Sequence, residues 1–203
     1  MSKNPKRSVA HNELTSTQLP HLRIQIDSSL KYSGNLNSTV MDITTLDNYY
    51  FVDKNSANQI QRVLYFQFEG VLPNSNHQFD YPNMQAIQLS HQAFQYDGGV
   101  RMYTQSKIDN QPDDSDVRQT VDFLKDQAAH FCEGHYYGML RFAQILDASQ
   151  QNDLLIIYLE RLQEADIPDD IIAKSRYSEE WSAYCKQLLA RAMRTFSICD
   201  DES

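Results

Sequence analysis

The stretch Ile60–Pro73, "IQRVLYFQFEGVLP", alternates too regularly to be a helix and so sets the fold class. Leu64, Phe66, Phe68 and Leu72 fall on one side of an extended chain, and Val63, Tyr65, Gln67 and Glu69 on the other. The first side is wholly apolar. The second grades from apolar to polar, and it is the least bland feature of the chain. The run shares its β-branched and aromatic character with "YYFVD" (49–53), and the polar "KNSANQ" (54–59) between them reads as a hairpin loop.

Outward from this hairpin the period of two persists from Leu22 to about Thr104. "LRIQID" (22–27) alternates Leu22, Ile24 and Ile26 against Arg23, Gln25 and Asp27. "MQAIQLSHQAF" (84–94) reads as one strand with His91 in line with Ile87 and Leu89. The Asp97-Gly98-Gly99 that follows reads as a tight turn into "VRMYT" (100–104). After the acidic "DNQPDDSD" (109–116) the period becomes 3.6. Val117, Val121, Leu124, Ala128 and Phe131 form a stripe, Ser115 is the expected N-cap, and Gly134 the expected stop. A second hairpin follows, "GMLRFAQIL" (138–146) and "DLLIIYLERL" (153–162). The latter is apolar on both faces, as a central strand covered on two sides must be. "IPDDIIAKS" (167–175) predicts a short helix and "EEWSAYCKQLLARAMRTFSI" (179–198) a long one. The expected fold is α+β: a largely antiparallel sheet of about six to eight strands, one inserted helix, and a C-terminal helix pair. Residues 1–20 are polar and unpatterned and read as a disordered tail. Residues 21–199 read as a single domain and 200–203 as an acidic tail.

With 203 residues, 41% of them hydrophobic, the chain can build one sizeable core. A net charge of −9 disfavours nucleic acid, whose phosphates need clustered Lys and Arg, and also disfavours anionic lipid. No apolar run approaches the roughly 20 residues that span a bilayer. The basic N-terminus has no apolar block behind it, and the three widely spaced cysteines suggest no disulfide framework. The expectation is a cytoplasmic protein with neither a membrane nor a nucleic-acid partner.

"HFCEGHYYG" (130–138) invites a metal reading. On a helix running to Gly134, however, His130 and Cys132 point apart, and no second Cys or His pair completes a tetrahedral site. No cofactor or metal is expected. No C-x-x-C, P-loop, G-x-G-x-x-G or G-x-S-x-G occurs, and no catalytic set is assigned. Gln67 and Glu69 could simply face water. If instead the sheet curves over the helices, Tyr65, Gln67, Glu69, His91 and Tyr158 are the groups expected around a pocket. The leading expectation is noncatalytic binding of a small, partly apolar ligand between the sheet and the C-terminal helix. The alternative is a homodimeric protein–protein interaction module, suggested by aromatic strand segments such as "NYYFV" (48–52). A third is an acid/base enzyme using Glu69 or His91.

Overall fold

The computed structural model describes residues 6–163 and 179–199. The chain is a mixed α/β protein, and every ladder between its strands is antiparallel. Seven strands form a large sheet: β4 (Lys31–Val40), β5 (Thr44–Lys54), β6 (Ile60–Val71), β7 (Gln85–Leu89), β8 (Gln92–Met102), β9 (Tyr136–Ile145) and β10 (Asn152–Arg161), in the order β4-β5-β6-β10-β9-β8-β7. Four form a smaller one, β1-β2-β3-β11, from Arg7–Ala10, Glu13–Thr17, His21–Ile26 and Phe196–Cys199. Three helices accompany them among the described residues: α1 (Gln105–Asp109), α2 (Asp116–Asp126) and α3 (Glu179–Ala192).

The alternation in β6 does what its pattern requires. Leu64, Phe66 and Phe68 point to one face of the large sheet, where they join Phe51, Leu140, Phe142, Leu154 and Ile156. The small sheet closes over this face with Leu14, Leu22, Ile24, Ile26, Phe196 and Ile198, and α3 adds Leu188 and Ala192. Phe66 and Phe142 both meet Phe196 edge-on, with ring centroids 6.1 and 5.9 Å apart. Tyr50, Val52, Val63, Leu155, Ile157 and Leu159 point to the other face, under Leu124 and Phe123 of α2. Strand β10 sits fourth of seven and is buried on both sides, as its unbroken apolar run demands.

Several expectations are corrected. Residues 7–17 are a hairpin rather than a tail: His11 and Asn12 both take left-handed φ of 50° and 58°, making a two-residue turn. Backbone pairing to β3 and the buried Leu14 and Ser16 hold it, which a scan for apolar period cannot register. "MQAIQLSHQAF" is not one strand. Ser90 takes φ 55°, and the chain reverses there between β7 and β8. Asp97-Gly98-Gly99 is correspondingly not a turn but the middle of β8. A Cβ on Gly98 would lie 3.2 Å from Leu140 Cδ2 and 3.4 Å from Cys185 Sγ, so this glycine gives room for packing. Two helices, not one, lie between β8 and β9. The second ends at Asp126, just before Ala128 takes φ 51° and is exposed; Val117, in its first turn, is 39% exposed rather than on a buried stripe. Helix α3 stops at Ala192, and after a three-residue turn Phe196–Cys199 become β11. The short helix expected at 167–175 and the tail at 200–203 lie outside the described residues.

Candidate functional site

The antiparallel registers place three rows of side chains side by side on the α2-covered face of the large sheet. One row runs Tyr50, Tyr65, Ile157, Arg141, Asp97 from β5 to β8. The next runs Asn48, Gln67, Leu155, Ala143, and the third Ser38, Leu46, Glu69, Asp153. A period of two sends all of these to one side. This face therefore carries two carboxyls, Glu69 and Asp153, and the amide of Gln67 on its central strands β6 and β10, where the opposite face of β6 has Leu64, Phe66 and Phe68.

Over the first two rows lies a cavity of about 570 Å³. Tyr65, Gln67, Met139, Arg141, Leu155, Ile157 and Leu159 line it from the sheet, Tyr103, Lys107 and Ile108 from the start of α1, and Asp116 and Val117 from α2. The roof is positioned by two caps. Thr104 accepts from the Lys107 N–H at the start of α1, and Ser115 accepts from the Arg118 N–H at the start of α2. The Glu133 carboxylate also accepts from the Gln105 N–H at 2.9 Å, tying α1 to the chain that follows α2. A second recess of similar volume at the strand ends is occupied on one side by the Arg7–Asp47 ion pair at 2.9 Å.

Gln67 is the pivot. It is only 2% exposed, so it does not face water. Its Nε2 donates to Glu69 Oε1, which leaves Oε1 buried with no partner. Unpaired buried atoms collect in this region: Ser38 Oγ, Asn48 Oδ1, Gln67 Oε1 and Asp153 Oδ1 lie on adjacent rows. A buried polar atom without a partner costs about 1–3 kcal/mol, so these atoms lower the stability of this face unless something pairs with them.

Glu69 and Asp153 are direct cross-strand partners. Burial pushes the Glu69 carboxyl up to about 7, with the charge of Asp116 adding to the rise. The hydrogen bond from Gln67 and the Arg141 charge pull it partly back. Burial, then the charge of Glu69, raise Asp153 to about 8, against the Tyr81 hydroxyl that donates to its Oδ2 and against Arg141. Both carboxyls are thus held above the ordinary carboxylate range. Arg141 does not neutralise them directly, because its guanidinium is committed to Asp97 at 2.9 and 3.2 Å. Burial holds Tyr65 and Tyr103 far above the ordinary phenol range, so both stay protonated.

The five residues expected around a pocket do not all meet. Tyr65 and Gln67 line the cavity, and Glu69 stands on the same face just behind Gln67. Tyr158 points to the opposite face, among the core under α3, and donates to Glu160 at 2.6 Å. His91 is exposed in the β7–β8 turn at the sheet edge. The cavity roof is α1 and α2, not the C-terminal helix. Sequence reasoning missed Asp153, Tyr81 and Arg141. Asp153 had one signal, an acid opening an apolar strand, but only the hairpin register puts it opposite Glu69.

In "HFCEGHYYG", His130 is exposed and its carbonyl accepts from the Ile60 N–H at 2.9 Å. The Cys132 N–H donates to the Tyr137 hydroxyl, and His135 meets Arg161 Nη2 at 3.1 Å. Among the described residues no group of three or more His, Cys, Asp or Glu is placed to hold a metal ion. None of their helices is long and apolar enough to cross a membrane. No family model, curated protein or solved structure matches the chain.

Proposed function

We propose that this chain binds a small, partly apolar molecule in the cavity between the large sheet and the α1–α2 roof. The observation that carries the reading is Gln67: a fully enclosed amide with a free acceptor, at the floor of a cavity walled by Tyr65, Met139, Leu155, Ile157 and Leu159. Apolar walls with a few placed polar groups are how small-molecule sites are built. The rival homodimer reading loses its motive, since Asn48, Tyr49, Tyr50, Phe51 and Val52 are all buried.

Thermal-shift screening against lipids, aromatic acids and nucleotides tests the proposal. At least one class should raise the melting temperature, and Val117→Trp, which projects bulk from the roof, should abolish that rise without altering the far-ultraviolet circular dichroism. Silence across the whole panel would discard the reading.

Acid–base chemistry is a second reading, favoured by the Glu69–Asp153 pair, whose carboxyls titrate near neutrality and so suit proton transfer at that pH. Mass spectrometry of a bound compound after long incubation should then show conversion that Glu69→Gln removes. Unchanged compound would leave binding alone.

A further inference from the structure

The polarity of the cavity is set by a chain of two hydrogen-bonding decisions. Glu69, as a carboxylate, can only accept, and its Oε1 accepts from Gln67 Nε2. Gln67 turns its Nε2 toward Glu69, which leaves the carbonyl Oε1 buried without a partner. A molecule that satisfies this Oε1 must bring a donor to it. The cations of the lining are distributed differently. Arg141 is held by Asp97. Lys107 and Arg101 are exposed, and neither pairs with a carboxylate among the described residues. Asp116, the lining's acid, is turned back onto the Val117 N–H at 2.7 Å. On a chain with net charge −9, two such cations beside one cavity are a local reversal of sign.

Resting on the binding reading above, we infer that the ligand class is an apolar-bodied carboxylic acid that carries a hydrogen-bond donor at the end remote from its carboxylate. The donor meets Gln67 Oε1, the body lies against Tyr65, Met139, Leu155 and Ile157, and the carboxylate faces Lys107 and Arg101. Glu69 is the positioning residue that keeps the Gln67 amide in the accepting orientation. A ligand without the donor leaves the Gln67 carbonyl desolvated and unpaired, and that penalty is what discriminates.

Four matched compounds test this by titration calorimetry at about pH 8.5, where Glu69 is ionised and phenols are not: 4-hydroxyphenylacetate, phenylacetate, 4-methoxyphenylacetate and tyramine. The hydroxy acid should bind at least about tenfold more tightly than the other three. The methoxy compound isolates the donor, since its ether oxygen only accepts, and tyramine isolates the carboxylate. Gln67→Leu should compress the hydroxyl-against-methoxy ratio to below about threefold while leaving the preference over tyramine. Lys107→Ala with Arg101→Ala should do the reverse. Glu69→Gln, which can donate to Gln67 and release its amide to flip, should weaken the hydroxyl preference without removing binding. Equal affinity for the hydroxy and methoxy acids, or for the acid and the amine, overturns the inference. If other apolar compounds then still bind, the binding reading survives alone. If nothing in either panel binds, both fall.

Discussion

The two faces of the large sheet are built from alternate residues of the same strands, yet they are put together on different terms. Along β6, Leu64, Phe66 and Phe68 enter a closed apolar layer beneath the small sheet, while Tyr65, Gln67 and Glu69 enter a layer with a cavity, two raised carboxyls and several unpaired polar atoms. One strand thus carries both the rigidity of the fold and the groups that cost it stability. The apolar face fixes the register, and the register is what brings Glu69 opposite Asp153. A site of this kind needs a stable backing, because every group in it would relax if the strands could slip.

The largest effect should come from breaking the apolar face. Phe66 is fully buried and packs edge-on against Phe51 and Phe196. Phe66→Ala should cost about 3–5 kcal/mol in guanidinium unfolding, through lost transfer energy and the void left behind. The polar face should respond to pH instead. Both Glu69 and Asp153 have folded values above their unfolded ones, so the stability they contribute is present at low pH and is lost as pH rises through about 7 and about 8. Stability should therefore fall between roughly pH 4, where the unfolded carboxyls ionise, and about pH 8. The slope approaches about 1.4 kcal/mol per pH unit for each carboxyl that is protonated in the folded chain and ionised in the unfolded one. The groups facing the pair are Gln67 of the same strand, Tyr81 of the loop before β7, Arg141 of β9 and Asp116 of α2. Gln67 has no proton to exchange, and Tyr81 and Arg141 are both pushed upward, away from this window. Asp153→Asn, which keeps an acceptor for Tyr81, should flatten the fall and gain on the wild type at pH 9. A wild-type unfolding midpoint that does not move over this range would mean that the pair is not buried as described.

How much of this could be read from the chain follows the same division. The apolar face was legible because its signal is local: period two in β6, and an unbroken apolar run in β10 that only a central strand tolerates. Tyr65, Gln67 and Glu69 were legible as one row for the same reason. What depended on distant partners was not. Asp153 becomes a partner of Glu69 only through hairpin register, and Tyr81 reaches Asp153 from a loop with no period at all. His91 was placed in a strand because the reversal at Ser90 uses a left-handed residue other than Gly or Asn, which gives no signal. Gly98-Gly99 gave a strong turn signal for a different purpose, clearance beneath Leu140 and Cys185. Tyr158 alternated correctly within β10, but nothing in the chain said which of its faces would meet the cavity.

The smaller effects separate satisfied from unsatisfied polar groups within the polar face itself. Tyr137 is fully buried there; its hydroxyl donates to the Ile60 carbonyl and accepts from the Cys132 N–H, both at 3.0 Å. Tyr137→Phe strands a backbone donor and a backbone acceptor, and should cost about 1–3 kcal/mol. Ser38 Oγ, on the Glu69–Asp153 row, has no partner to lose. Ser38→Ala should change unfolding by no more than about 0.5 kcal/mol, and toward greater stability, because a desolvated hydroxyl is removed and no bond is broken. The two substitutions delete one hydroxyl each from the same layer, so their ratio reads pairing rather than burial. Equal costs would show that the Ser38 row is as fully hydrogen-bonded as Tyr137, and this face would no longer be one that carries unpaired polar groups.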